Sequence, residues 1–323
     1  MWRLPDPRFD VASALDQGGR DYQEDSLVTD FPIGDDCGIV VLADGMGGHA
    51  AGDVASNIVV TEVYGDLKFQ RPMFIEREAH LPQIMLESLA DANSTLGAHV
   101  KANPDSYGMG ATLVSLVMVG PNLYWTSVGD SPLYHFRGGR LEQLNEDHSM
   151  APQIDLMVTN GLIGADQARE HPDRNCLTSA ILGDQIARID NPPNGVRLSA
   201  GDIVVVSSDG LQFLEDKAIA KLLYRNRKKS STDICNALLH ALKKLDDPDQ
   251  DNISFAVIKV NHDKPVQSTV RVGAPPLPLV NPLASSLTRL AEQDVVEEIG
   301  LQVGDVDTVV KRAAVILDRA AGE

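Results

Sequence analysis

Five segments of this chain carry carboxylates where folding could gather them. Glu24-Asp25 stands in RDYQEDS, Asp44-Gly45 in VVLADGMGG, Asp209-Gly210 in VVVSSDG and Asp251-Asn252 in DPDQDNISFAV. In these four the acid ends a strand-like run and adjoins a residue that permits a tight turn; in the fifth, SVGDS, glycine precedes Asp130. Taken singly, an Asp-Gly pair is ordinary turn chemistry. Recurrence points further, because hard divalent cations take carboxylate and carbonyl oxygens and keep several waters, so distant aspartates can converge on one ion site. Glycine after the aspartate lets backbone approach such an ion closely. At Asp44 and Asp209 aliphatic runs deliver the carboxylate to a strand end, where burial demands a partner.

Other chemistries fare worse. Ser131, Ser207 and Ser208 lie beside aspartates, but no G-x-S-x-G elbow is present. No phosphate-binding P-loop appears either. His49, in GMGGH, reads as a structural histidine or one that orients water. Cys37, Cys176 and Cys235 are scattered, in no metal-ligand spacing, and read as reduced, buried thiols.

The elements that must position the acids follow from periodicity and punctuation. Strands are expected at 11–15, 25–31, 38–43, 112–119, 123–128, 133–137, 140–144, 186–190, 203–208 and 253–260, and helices at 54–67, 84–101, 215–227 and 232–245. Turn-separated strands with helix pairs between them indicate antiparallel sheets covered by helices, an α+β fold. Residues 145–184 are polar, hold short helical pieces and interrupt the strands, as an irregular insertion beside a functional site would. The first 262 residues read as one domain; 263–283 is proline-rich, with five prolines in 264–282, and reads as a linker. Residues 284–323 read as a helical extension, with Val306, Val309, Val310, Ala313, Ala314 and Leu317 on one face.

Hydrophobic residues make up 43% of the 323, enough for a sizeable core, and 46 acidic against 28 basic residues give a net charge of −18. Such a body repels nucleic-acid phosphates and anionic lipid surfaces, so neither is an expected partner. The N-terminal stretch shows no signal-peptide pattern and no apolar run reaches bilayer-spanning length, so a cytoplasmic location is expected.

RxxxED, ADGMGGHxxGxxAS, GMGATL, VGDS, GDIVVVSSDGL and DNISFAV, in that order over residues 14–260, resemble the metal-dependent protein serine/threonine phosphatases of type 2C, in their bacterial-like branch. The resemblance implies a four-layer α/β/β/α sandwich of two antiparallel sheets flanked by helix pairs. It implies that Asp44 bridges two Mn2+ or Mg2+ ions, one of them also bound by the Gly45 carbonyl. Asp209 and Asp251 would hold the first ion and Glu24 and Asp25 the second, partly through water. Asp130 with Asp209 matches the position of a weaker third ion, and Arg20 matches the phosphate-binding arginine. Two cations about 3.5–4 Å apart generate hydroxide from bridging water at neutral pH. That hydroxide would attack phosphoserine or phosphothreonine in line, while Arg20 donates in parallel to two phosphoryl oxygens.

The chain departs from the pattern at three places. Met46 stands where animal relatives carry histidine, Pro132 follows GDS where arginine is common, and Ser179 occupies a position where many members have arginine. Residues 146–184 match the family's variable flap beside the cleft. Phosphorylated proteins and a cognate serine/threonine kinase are the implied partners. An alternative keeps the fold and loses the chemistry: a catalytically weak or inactive module acting as a regulatory binding protein through its C-terminal helices. Such a module should have lost ligands, whereas Asp44, Asp209 and Asp251 all remain. For 284–320, docking on a partner or self-association stands beside simple packing on the chain's own domain.

Overall fold

A computed structural model describes residues 7–47 and 50–262. The expected linker at 263–283 and helical extension at 284–323 lie outside the described residues. In chain order the elements are β1 (Phe9–Asp16), β2 (Asp25–Asp30), β3 (Cys37–Met46), α1 (Ala50–Gln70), α2 (Leu81–Ala102), β4 (Gly110–Ala111), β5 (Leu113–Val119), β6 (Asn122–Val128), β7 (Leu133–Arg137) and β8 (Arg140–Gln143). They continue with α3 (Ala151–Thr159), α4 (Ala165–Arg169), β9 (Val196–Arg197), β10 (Ile203–Ser207), α5 (Asp216–Asn226), α6 (Ser231–Lys243) and β11 (Ile253–Val260).

The strands form two antiparallel sheets, one ordered β1-β11-β10-β7-β8 and the other β2-β3-β5-β6-β9, with the short β4 paired to β3. Side-chain alternation sets the layers. In β3, Ile39, Val41 and Ala43 join a core with Val59 and Val63 of α1 and Leu89 and Leu96 of α2. Val40 and Leu42, pointing the other way, join Val204, Val206, Ala256 and Ile258 of the facing sheet. In β10 and β11, Val205, Phe255 and Val257 pack outward on Ile219, Leu223, Ile234 and Leu238 of α5 and α6. A strand covered on both faces must be apolar at every position, which is why GIVVL and IVVV read as continuous runs rather than alternating ones. The four-layer α+β sandwich stands as expected.

Three expectations change. Residues 186–190 form no strand: Asp190 alone bridges to Ser127, and the outermost partner of β6 is β9. The Asp190 carboxylate instead accepts from Trp125 Nε1 and the Glu146 N–H. β3 runs on to Met46, so Asp44 sits inside the strand rather than at its end. Cys176 is exposed, while Cys37 and Cys235 are buried with thiols pushed up to about 11 and about 12, chiefly by burial.

Candidate metal centre and active site

The site forms at one rim of the sandwich, where both sheets present strand ends. Asp25 opens β2 and lies directly across from Asp44 in β3. Directly opposed residues of an antiparallel pair share a face with Cβ atoms about 4.5–5.5 Å apart, and like charges there repel. Asp25 is held by Ser208, whose Oγ donates to Asp25 Oδ2 at 2.8 Å. The backbone of Asp44 is clamped by Thr112: its N–H donates to Thr112 Oγ1 at 3.0 Å, and its carbonyl accepts the Thr112 N–H at 2.8 Å. Thr112 Oγ1 lies 2.8 Å from Ser131 Oγ, which ties this clamp to the residue after Asp130.

From the other sheet, Asp209 opens a 3-10 turn, Asp209–Phe213, just past β10, and Asp251 lies just before β11. The loop 17–24 is fastened by Asn252, 4% exposed. Its Oδ1 accepts the Glu24 N–H at 2.7 Å, and its Nδ2 donates to the carbonyls of Gln17 and Tyr22 at 2.8 and 2.9 Å. Arg20, half exposed at the lip, pairs with Asp251 at 2.5 Å. Close packing needs glycine twice: a Cβ on Gly45 would stand 2.0 Å from the Gly52 carbonyl oxygen, and one on Gly52 would stand 2.2 Å from Glu24 Oε1. The start of α1 therefore packs against the site backbone without side chains between.

Arg20, Glu24, Asp44, Gly45, Asp130, Asp209 and Asp251 line one cavity of about 300 Å³. Asp25 is absent from the lining, yet it lies near enough to Asp209 and Asp251 to feel their charge. Burial, then the neighbouring carboxylates, pushes Asp25 up to about 7 and Asp44 well above the carboxylate range. Burial with Asp209, Asp147 and Asp251 pushes Asp130 up to about 7; burial with Asp251 pushes Asp209 up to about 6 against the pull of Arg20. Asp25 Oδ1 and Asp209 Oδ1 are buried without a hydrogen-bond partner among the described residues. Buried acceptors left over, in an all-oxygen donor set of mutually repelling acids, fit hard divalent cations. Among the described residues no group of three or more His, Cys, Asp or Glu side chains stands close enough together to hold a metal ion by itself.

A sequence model of the family described as protein phosphatase 2C matches residues 21–247. This chain belongs to the protein phosphatase 2C family. The serine/threonine protein phosphatase PstP of Mycobacterium tuberculosis is 33% identical over 187 residues, 57% of this chain and 34% of PstP. The chain thus aligns with about a third of that relative's length. The serine/threonine phosphatase stp of Listeria innocua is 28% identical over 193 residues, 60% of this chain and 74% of stp. The crystal structure of the PstP catalytic domain in complex with two manganese ions matches with a TM-score of 0.62 at 26% identity, over 78% of this chain and 98% of that one.

Within this protein phosphatase 2C fold, several contributors were not singled out from sequence. Asn252 and Thr112 lie inside quoted motifs, DNISFAV and GMGATL, but nothing in a linear motif says that one side chain will fasten three backbone groups of a distant loop. Ser208 was dismissed as a nucleophile, and its hydroxyl instead donates to Asp25. Asn175 and Leu177 reach the cavity from the flap. Ser179 is buried and closes a two-way bond with the backbone of Arg188, at 2.7 and 2.9 Å. Gly48 and His49 lie outside the described residues.

Proposed function

We propose that this chain is a divalent-cation-dependent phosphatase that removes phosphate from phosphoserine and phosphothreonine in proteins. The observation that carries the reading is the Asp25–Asp44 cross-strand pair, Asp25 buried and Asp44 half-buried, close enough to Asp209 to feel its charge, an arrangement of carboxylates that cations would relieve. Asp44 would bridge two Mn2+ or Mg2+ ions with the Gly45 carbonyl on one of them; Asp209 and Asp251 would hold the first and Glu24 and Asp25 the second. Asp130 with Asp209 would take a weaker third. Bound there, the ions would supply positive charge and an activated water for in-line attack on phosphorus.

The chain's own residues do the rest. Ser208 and Thr112 orient Asp25 and Asp44, Asn252 fixes the loop that carries Glu24 and Arg20, and Arg20 offers its planar fork to the phosphoryl oxygens at the cavity mouth. Exchanging Asp251 for a phosphate oxygen keeps Arg20 paired throughout. No side-chain nucleophile is required, consistent with the engaged serine hydroxyl at Ser208. Met46 cannot donate a proton to the leaving alkoxide. The natural partners are phosphorylated proteins and the kinase that makes them, in a cytoplasmic setting; no helix among the described residues is long and apolar enough to cross a membrane.

The test is Mn2+-dependent release of phosphate from a phosphothreonine peptide. Asp44→Asn should lower turnover by about 10³-fold or more, in the range seen when a group central to transition-state stabilisation is removed. Full activity in that variant, or activity indifferent to chelation, would contradict the assignment.

A further inference from the structure

A second cavity, of about 420 Å³, opens beside the first and shares Asp130, Asn175 and Asp209 with it. Its walls come from two places: Asp147 and Arg174 at the base of the flap, and Gln212 and Phe213 at the end of the turn that begins with Asp209. A peptide whose phosphate sits over Asp44 must send its neighbouring side chains along such walls.

The charge of this cleft is set by which groups are already spoken for. Arg174, the cation among the described residues that line it, makes a two-pronged, solvent-exposed pair with Asp155, at 2.7 and 3.0 Å. Asp130 and Asp209 face cations in the reading above. Asp147, whose charge also reaches Arg174, has an Oδ1 that accepts the Ser149 N–H at 2.8 Å and is thereby held in place at the flap root. Asp147 lies close enough to Asp130 to raise its pKa. Across the cleft Phe213 is 37% exposed, a ring on which an aliphatic stem or a guanidinium can lie. The chain's net charge of −18 adds a long-range bias against acidic ligands.

We infer that this cleft is a subsite for a lysine or arginine side chain flanking the phosphorylated residue, with Asp147 as its carboxylate and Phe213 as its wall. The inference rests on the phosphatase reading and names a substrate class for it: phosphoproteins that are basic around the modified serine or threonine.

The experiment compares kcat/KM, for the full chain with Mn2+, on one phosphothreonine peptide carrying Arg, Ala or Glu near the phosphothreonine, on either side. The Arg peptide should exceed the Ala peptide by about fivefold, the scale of a partly exposed ion pair, with Glu poorest. Asp147→Asn should bring the Arg/Ala ratio close to one, Asp147→Glu should preserve it, and Phe213→Ala should reduce it. Because each ratio is taken within one preparation, loss of folded enzyme cancels. Equal rates on all three peptides, or an unchanged ratio in Asp147→Asn, would overturn the subsite and leave the phosphatase reading standing. A preference for Glu would mean that Arg174 leaves Asp155 to bind substrate, which also overturns it. No turnover of any phosphorylated substrate would remove both readings together.

Discussion

Asn252 shows what a single side chain contributes beyond the acids. Its amide satisfies one donor and two acceptors of the loop 17–24 in part-buried hydrogen bonds, and through them sets where Glu24 and Arg20 stand. Truncation to alanine would leave those backbone groups without that partner, a cost of about 1–3 kcal/mol for a fully desolvated group and less where water reaches it. Asn252→Ala is therefore expected to destabilise the chain by about 2–3 kcal/mol and to raise the Mn2+ concentration for half-maximal activity, since Glu24 is no longer held. Urea unfolding and a Mn2+ titration of phosphatase activity measure the two effects. A variant that loses stability with an unmoved Mn2+ dependence would show Asn252 to be structural only. At this scale the acids were legible because each carried a local signature, a carboxylate beside a turn residue at the edge of an apolar run. The groups that aim them were not. Asn252, Thr112 and Ser208 act on partners 68 to 235 positions away, and no spacing within a motif encodes that distance.

Elements were legible in proportion to how much their own residues decide. The expected helices at 54–67, 84–101, 215–227 and 232–245 appear as α1, α2, α5 and α6 with ends displaced by a few residues, because each buries one continuous stripe. The doubly covered strands β3 and β10 announced themselves by unbroken aliphatic runs, GIVVLA and IVVV. The failure at 186–190 has the opposite cause: Ala187, Arg188 and Ile189 are exposed, and Asp190 alone pairs, with Ser127, while its carboxylate serves Trp125. Asp202, at the head of β10, is a comparable device that does hold its element. Burial alone would raise its pKa, but Arg137 of β7 donates to both carboxylate oxygens at 2.9 and 2.6 Å, His135 Nε2 lies 3.1 Å away, and the Ser199 N–H donates at 2.7 Å, so the net displacement is well below the usual range. A carboxyl whose folded pKa is depressed adds stability that is fully present above the unfolded value, about 3.9, and fades as pH falls toward the folded one. Asp202→Asn should thus cost about 2 kcal/mol at pH 7, with the gap between variant and parent closing below about pH 4. Denaturant unfolding at a series of pH values reads this directly; a gap that stays constant down to pH 2.5 would assign the loss to packing.

For the molecule as a whole, the site is also a seam. Asp25 and Asp44 belong to one sheet, Asp209 and Asp251 to the ends of strands in the other, and burial, then the neighbouring carboxylates, raises the pKa of Asp25, Asp44 and Asp209, so their charged forms are disfavoured at the rim. Cations binding there would relieve that penalty and bind the folded state in preference to the unfolded one, and a ligand at 100 times its dissociation constant adds about 2.7 kcal/mol. In a domain of this size each kcal/mol moves the midpoint by about 2–4 °C, so saturating Mn2+ should raise Tm by about 5–10 °C over the chelated protein. Asp44→Asn gives the opposite pair of signs. Without cations it replaces a carboxyl whose charged form the site disfavours and should melt at or slightly above the chelated parent; with Mn2+ it should gain little, because a carboxylate that would hold the ions is gone. Four melting curves, parent and variant with chelator and with Mn2+, contain the whole test. If Mn2+ raises both proteins equally, the ions bind elsewhere, and if the chelated variant melts below the chelated parent, the carboxylates at the rim are not in the conflict that their burial and pairing imply.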